Sequence, residues 1–303
     1  MKPGRVIAGV LLVASIAAGT FSDAPRRVPP PFLRGYQVLA ADFHVHSFPF
    51  SSSTLTPWDT VIEARRQGLD VIAMTPHNHT WVAKVGQWFS KKINGPIVLT
   101  GEEIVTPHYH LLAIGIRRTI SPNLSAATAI DEIHRQGGVA IAAHPTKKYW
   151  PAYDAEAMRK LDGAEVVHPI IWRREDLGEQ LRQFYGRAHL TAVGDSDYHG
   201  LGPVGLCRTY VFTHDASEQG ILDAVRKGQT VVYDRGQAYG DRALIQVAEA
   251  DGRLPDLAGP TAQDAGFFSA FSRITAILGM LVAMTLVYPI RSGGTTGSGG
   301  TSA

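Results

Sequence analysis

Short apolar runs that alternate with amphipathic stretches, from about residue 36 to residue 236, constrain this chain more than anything else in it. Such alternation is met by a β/α architecture, in which helices cover a parallel sheet or barrel. The first strand reads Val38-Leu39-Ala40-Ala41-Asp42-Phe43-His44-Val45-His46. Thr56-Pro57-Trp58-Asp59 then sets an N-cap before a proline at the first helical position, and the helix runs to Gly68. Strands are predicted over 69–75, 96–100, 110–116, 139–143, 163–167, 190–194 and 230–233, and helices over 125–136, 174–186 and 217–227.

Polar residues fall where these strands run out. His44 and His46 close the first strand, two apart and so on one face of an extended segment. His77 follows the second strand, Glu103 the third, His144 a later one, and Asp197 with His199 the last but one. In parallel β/α folds the chemistry gathers at that rim, so residues scattered in sequence are expected to converge. His110 opens its strand instead, and joins them only if that strand runs antiparallel or bends. Imidazoles with carboxylates and no thiolate suit zinc, iron or manganese, and a carboxylate-bridged metal pair drives hydrolysis of phosphate esters. His134, His168, His189 and His214 read as surface or core histidines.

Composition excludes several classes. A net charge of +2 implies no polyanionic partner, and there is no specific nucleic-acid signal. One cysteine, Cys207, rules out an internal disulfide and a multi-thiolate metal site.

Both ends are apolar. Lys2 and Arg5 precede an uncharged run over 6–18 and a proline-rich stretch over 25–31, so residues 1–31 read as a signal peptide or an N-terminal membrane anchor with its linker. Residues 32–240 form the catalytic domain and 241–266 a linker. Residues 267–290 read as a transmembrane helix and the Gly/Ser/Thr-rich 291–303 as a disordered tail. Lys2, Arg5 and Arg291 on one side of a bacterial-type cell membrane would leave the domain extracytoplasmic.

Six motifs, in order, resemble those of the polymerase and histidinol phosphatase (PHP) superfamily: Asp42-Phe43-His44-Val45-His46-Ser47, Thr75-Pro76-His77-Asn78, Gly101-Glu102-Glu103, His110-Leu111-Leu112-Ala113-Ile114-Gly115, Ala143-His144-Pro145 and Gly194-Asp195-Ser196-Asp197-Tyr198-His199-Gly200. The ending, with Gly205, 224–228 and Val231, is similar to CehA/McbA-type phosphoesterases. The resemblance implies a distorted (β/α)7 barrel and two or three divalent ions, Zn, Mn or Fe. It implies a first metal on His44, His46, Glu103 and Asp197, and a second bridged by Glu103 and completed by His110 and His144. His77 and His199 would belong to a third position or, with no ion there, act as proton donors. The chain departs from the family in offering only Ser51-Ser52-Ser53 where another ligand is usual, and Pro76 where an aspartate is usual; His79 is the residue placed to compensate.

The expected activity is hydrolysis of a phosphomonoester or small phosphodiester by metal-activated water, with Lys147 and Arg173 as candidate substrate-phosphate contacts, beside Lys148 and Arg174. Solvated loop charges are the other reading of these four. Trp150, Tyr153 and Trp172 are candidates for stacking or for packing. The alternatives are a metal-dependent carbamate, amide or ester hydrolase, and a non-catalytic, membrane-tethered metal-binding domain.

Overall fold

A computed structural model describes residues 3–21, 30–49, 51–170, 174–200, 202–252 and 266–287. The strands are β1 (Phe32–Leu33), β2 (Tyr36–Val45), β3 (Val71–Met74), β4 (Ile97–Val105), β5 (His110–Ile114), β6 (Val139–Ala142), β7 (Gly163–Val167), β8 (Thr191–Gly194), β9 (Thr209–Thr213), β10 (Thr230–Asp234) and β11 (Gln237–Gly240). The helices are α1 (Pro3–Thr20), α2 (Pro57–Arg66), α3 (Trp81–Ile93), α4 (Ala126–Arg135), α5 (Ala155–Lys160), α6 (Glu175–Tyr185), α7 (Glu218–Arg226), α8 (Arg242–Asp251) and α9 (Phe267–Val287).

Among the described residues the strands form one sheet in the order β11-β10-β9-β2-β3-β4-β5-β6-β7-β8, with β1 on β2. β2, β3 and β4 run parallel, as do β6, β7 and β8. β5 is antiparallel to both neighbours, β9 is antiparallel to β2 and β10, and β11 returns along β10 as a hairpin. The barrel expected from the sequence is thus present, and these reversals are its distortion. No ladder joins β8 to β9 or β10. Side chains close the seam instead: the Thr209 hydroxyl donates to Gly194 O (3.0 Å) and that of Thr230 to Ala192 O (2.7 Å).

Residues from around the sheet, including Leu39, Ala41, Phe43, Val71, Ala73, Leu99, Leu112, Ile141, Val193 and Val211, fill the barrel and meet Ile221 and Leu222 of α7. Val38, Ala40 and Val45 of β2 pack outward with Trp58, Val61, Ile62, Val82 and Phe89 of α2 and α3. Strict alternation would therefore send His44 outward with Val38 and Ala40. A register shift against β3 between Asp42 and Val45 breaks that alternation and re-aims His44, as bulges beside functional sites do.

Several elements differ from the sequence reading, which contains no counterpart of α3, α5, β1, β9 or β11. Arg242–Asp251, taken as the start of a linker, forms a helix capped by Asp241 that sends Leu244 and Ala248 into the outer core.

Candidate metal centre

Glu103 stands at the middle of the site. β4 places Glu102 and Glu103 on opposite faces: Glu102 accepts the Ile120 N–H (2.6 Å), while Glu103 shares the inward face with Leu99. Its two oxygens serve two sets of imidazoles. Oε1 lies 2.7 Å from His110 Nδ1 and 3.2 Å from His144 Nε2; Oε2 lies 3.3, 3.4 and 3.2 Å from Nε2 of His44, His46 and His77. Because β5 runs antiparallel, His110 opens its strand at the rim where its neighbours end, and the exception noted from the sequence is resolved.

Asp197 completes the inner cluster, its Oδ1 3.2 Å from His44 Nε2 and 3.0 Å from His46 Nε2. His144, Asp197 and Asn78, the residue after His77, have φ values of +27°, +44° and +53°. Non-glycine residues seldom adopt this region, and strain of this kind collects at functional sites. Among the described residues, four groups have ligand atoms close enough to hold an ion: His44, His46, Glu103 and Asp197; Glu103, His110 and His144; His46, His77 and His199; and His44, His144, His168 and Asp197.

The chemistry of the inner group fits a cation. His44 Nδ1 lies 2.7 Å from Glu165 Oε1, and a carboxylate only accepts, so Nδ1 carries a proton. Nε2 then faces Asp197 and Glu103, with Nε2 of His46 only 2.9 Å away. Asp197 Oδ1 is buried with no hydrogen bond of its own. Burial opposes protonation of His44, but Asp197, Glu165 and Glu103 outweigh it and raise its pKa well above the usual value. Burial likewise works against ionisation of Glu103 and Asp197, yet the surrounding histidines hold both well below the ordinary carboxylate range. The pocket therefore demands positive charge where these nitrogens and oxygens meet, which a divalent ion supplies.

Several supporting residues escaped the sequence reading. Glu165 accepts from His44 Nδ1 and from the His144 backbone N–H (2.5 Å). Asp42 accepts the N–H groups of Ser196 (3.1 Å) and Gly205 (2.7 Å) and the Ser196 hydroxyl (2.5 Å), tying β2 to the loop that bears Asp197. Burial pushes its carboxyl up to about 6 despite these bonds. Asp195 accepts the Phe43 N–H (2.7 Å). A carboxylate inside an apolar strand, as in Gly163-Ala164-Glu165-Val166-Val167, was the available signal, since buried acids are rare without partners.

His168, read as a surface or core residue, belongs to the site, with Nε2 3.2 Å from Asp197 Oδ2. Its Nδ1 accepts the Ile170 N–H (3.1 Å), so the ring proton sits on Nε2 and is given to Asp197. Histidines that ligate metals donate through the other nitrogen, so this one positions Asp197. The serine run also has a use. Ser51 Oγ lies 3.0 Å from His46 Nδ1, which can donate to it and leave Nε2 to a metal. Pro76 supplies its carbonyl to the Glu103 N–H (3.2 Å), and Asn78 bonds Val105, so the His77 segment is pinned to β4 without an aspartate. His79 is exposed and outside the four groups.

Of the other candidates, Lys147 is exposed, with its ammonium 5.8 Å from the Trp150 ring, and Lys148 reaches the Tyr149 hydroxyl (3.4 Å). That hydroxyl lies 3.2 Å from His110 Nε2, which makes Tyr149 a further partner of the site. Trp150 and Tyr153 pack in the core, and Arg174 pairs with Asp176. Trp172 and Arg173 lie outside the described residues.

A family model described as PHP-associated matches residues 179–230, which include Asp197 and His199. An uncharacterized protein of Methanocaldococcus jannaschii is 32% identical over 144 residues, which cover 43% of this chain and 82% of that one. The chain belongs to the PHP superfamily. In fold, this PHP chain is similar to a two-domain protein of Bacteroides vulgatus containing a predicted PHP-like metal-dependent phosphoesterase, with a TM-score of 0.60 and 24% identity over 75% of this chain and 74% of that one. The PHP motifs read from the sequence are the segments that the barrel gathers around Glu103.

Proposed function

We propose that the chain is a metal-dependent phosphoesterase, cleaving phosphomonoesters or small phosphodiesters with metal-activated water. The division of Glu103 between two sets of imidazoles carries this reading, since that is the posture of a carboxylate bridging a metal pair. His44, His46, Glu103 and Asp197 would hold one ion, and Glu103, His110 and His144 the second. His46, His77 and His199 offer a third position built from imidazole alone. Divalent ions bound there would supply a water of lowered pKa and neutralise charge on the phosphoryl oxygens.

The protein's own groups do the rest. Glu165, His168 and Ser51 fix the rings and carboxylates around the inner group, so little reorganisation is needed when charge develops. His199 directs Nδ1 to the Asp197 carbonyl oxygen (2.9 Å), and His77 and His199 are the most open of the ligand set, with side chains 34% and 31% exposed. Burial lowers the pKa of His199, but Asp197 reverses this, so the ring retains a proton it can give to a leaving oxygen when no ion occupies the third position. Lys147, on the loop after β6, and Arg173 are assigned to the substrate phosphate.

The same reading sets the domain organisation. Residues 32–240 carry the catalysis, joined to α8 and flanked by apolar ends that hold the domain at a bacterial-type cell membrane on its outer side. Metal analysis of the full chain, run beside phosphomonoesters, phosphodiesters, carboxyl esters and carbamates, tests it. Bound metal with turnover of phosphate esters alone is expected. Turnover confined to the acyl compounds, or metal without turnover, would remove the phosphoesterase assignment.

A further inference from the structure

α1 and α9 are not independent tails. They pair side by side and dock together on α2. The Trp58 indole N–H donates to Ser15 Oγ (2.7 Å), and Ser15 donates to Ser272 O (2.9 Å). The Ser272 hydroxyl donates to Asp59 Oδ1 (2.7 Å), Arg66 donates to Ser269 Oγ (2.7 Å), and Arg273 pairs with Glu63. A Cβ on Gly279 would lie 3.0 Å from Leu12, and one on Gly19 3.0 Å from Ile62, so the helices touch closely.

These contacts fix a direction. Going from Ser269 to Ser272 along α9, the partners step back from Arg66, the last residue of α2, to Asp59 in its first turn. α9 therefore runs antiparallel to α2 and leaves it past the N-terminal end. The N-terminus of α2 follows β2 and its metal-ligand loop, so it stands on the catalytic rim. At roughly 1.5 Å per residue, residues 277–287 reach about 16 Å beyond that point, with residues 3–12 beside them.

Only 22% of the α1 span and 28% of the α9 span is buried, so neither is a core helix. Val6, Val10 and Val13 on one and Ile274, Leu278, Leu281 and Met284 on the other are 40–68% exposed. Neither helix contains an acid, and the one base in α9, Arg273, is paired. Apart from Arg5, exposed near the outer end of α1 and so placed to reach the far polar boundary, the surface of the pair is uncharged and apolar, which suits the hydrocarbon of a bilayer. Trp81, 44% exposed at the start of α3 on the same rim, suits the headgroup level.

From this we infer that α1 is a retained structural part of the protein, that the helix pair enters a bilayer lying across the catalytic rim, and that the substrate is a phosphate monoester carried by a lipid. This rests on the phosphoesterase reading and narrows it. His77 and His199, the most open ligands, then face the plane where lipid phosphates sit.

The test uses the full chain, manganese-loaded, in phosphatidylcholine vesicles. Phosphatidic acid and farnesyl phosphate distinguish a glycerolipid from an isoprenoid source; glycerol 3-phosphate and p-nitrophenyl phosphate are the soluble comparators. Expected is a kcat/KM for one lipid at least tenfold above that for glycerol 3-phosphate. Turnover of p-nitrophenyl phosphate without that preference overturns the lipid inference and leaves the phosphoesterase reading standing, whereas turnover of none overturns both. A fluorophore on His79→Cys should be quenched by headgroup-level nitroxide lipid, and one on Lys227→Cys, at the opposite end of the barrel, should not. Equal quenching, or none at His79, rejects the orientation. Release of residues 1–21 from the purified protein, read by intact mass, rejects the retained helix.

Discussion

His168 gives its Nε2 proton to Oδ2 of Asp197 across 3.2 Å, and that bond leaves the other oxygen of Asp197 turned toward His44 and His46. The Ile170 N–H fixes the tautomer that makes this possible. His168→Phe keeps a ring but removes the donor. Affinity for the inner metal, followed by titration with Mn²⁺ or Co²⁺, should weaken by roughly 10- to 100-fold. His168→Asn, which restores a donor, should recover part of the loss. Unchanged affinity in the Phe variant would assign the orientation of Asp197 to other groups.

Glu103→Gln disturbs both sets of imidazoles at once, because each oxygen faces a different set. The amide nitrogen cannot accept, so one set loses its anionic partner whichever way the amide turns. Metal content should fall at more than one position, and turnover should fall by more than roughly a hundredfold, the upper end seen for outer-shell partners. Tyr153→Phe, which loses only a bond to the His110 carbonyl, provides the contrast: metal content should stay at the wild-type value. Loss of a single ion in Glu103→Gln would argue that Glu103 does not bridge.

Much of this site was legible because its ligands follow strands, and strand ends are marked by apolar runs that stop at His44, His77, His144 and Asp197. His110 was legible only as an anomaly, since nothing local states that β5 reverses; the pairing with β4 and β6 decides it. Glu165 and His168 sit in and just after a strand, like the ligands, but their roles depend on residues far away in sequence. Ser51 looked like a missing ligand, and the ring of His46 gives it a purpose. α8 was hidden by its short apolar stripe, which becomes meaningful only once Leu244 and Ala248 have a core to enter.

α3 packs on β3 where Gly86 meets Met74. A Cβ at that position would lie 2.2 Å from Met74 Sδ and 3.5 Å from the Pro57 carbonyl oxygen. Gly86→Ala gains helix propensity but forces Met74 off its place in a close-packed core. The net effect expected is a loss of about 1–3 kcal/mol, read from the denaturant midpoint, with the slope unchanged. Met74→Ala in the same chain should relieve the clash, so the two changes should be less than additive. A fully additive pair would place the strain elsewhere.

Asp59 gives the clearest pH signature away from the metal ligands. It is 1% exposed, and burial raises its carboxyl pKa from 3.8 to about 6, although the Thr56 and Ser272 hydroxyls donate to it and Arg273 lies nearby. A carboxyl with a raised folded-state pKa stabilises the fold fully below the unfolded value. That advantage is lost as pH rises through the folded value. Between pH 4 and pH 6 the unfolded chain ionises Asp59 while the folded one resists, at a cost on the order of 3 kcal/mol from the pKa difference. Asp59→Asn has no such titration. Other carboxylates and histidines also titrate in this window, so the quantity to measure is the stability of Asp59→Asn minus that of the wild type, in matched buffers with metal removed. The difference should rise in favour of the variant from pH 4 to pH 6 and then level off. A flat difference, or one that falls with pH, would show that the hydroxyls and Arg273 hold Asp59 ionised, and that the helix pair docks on a charge.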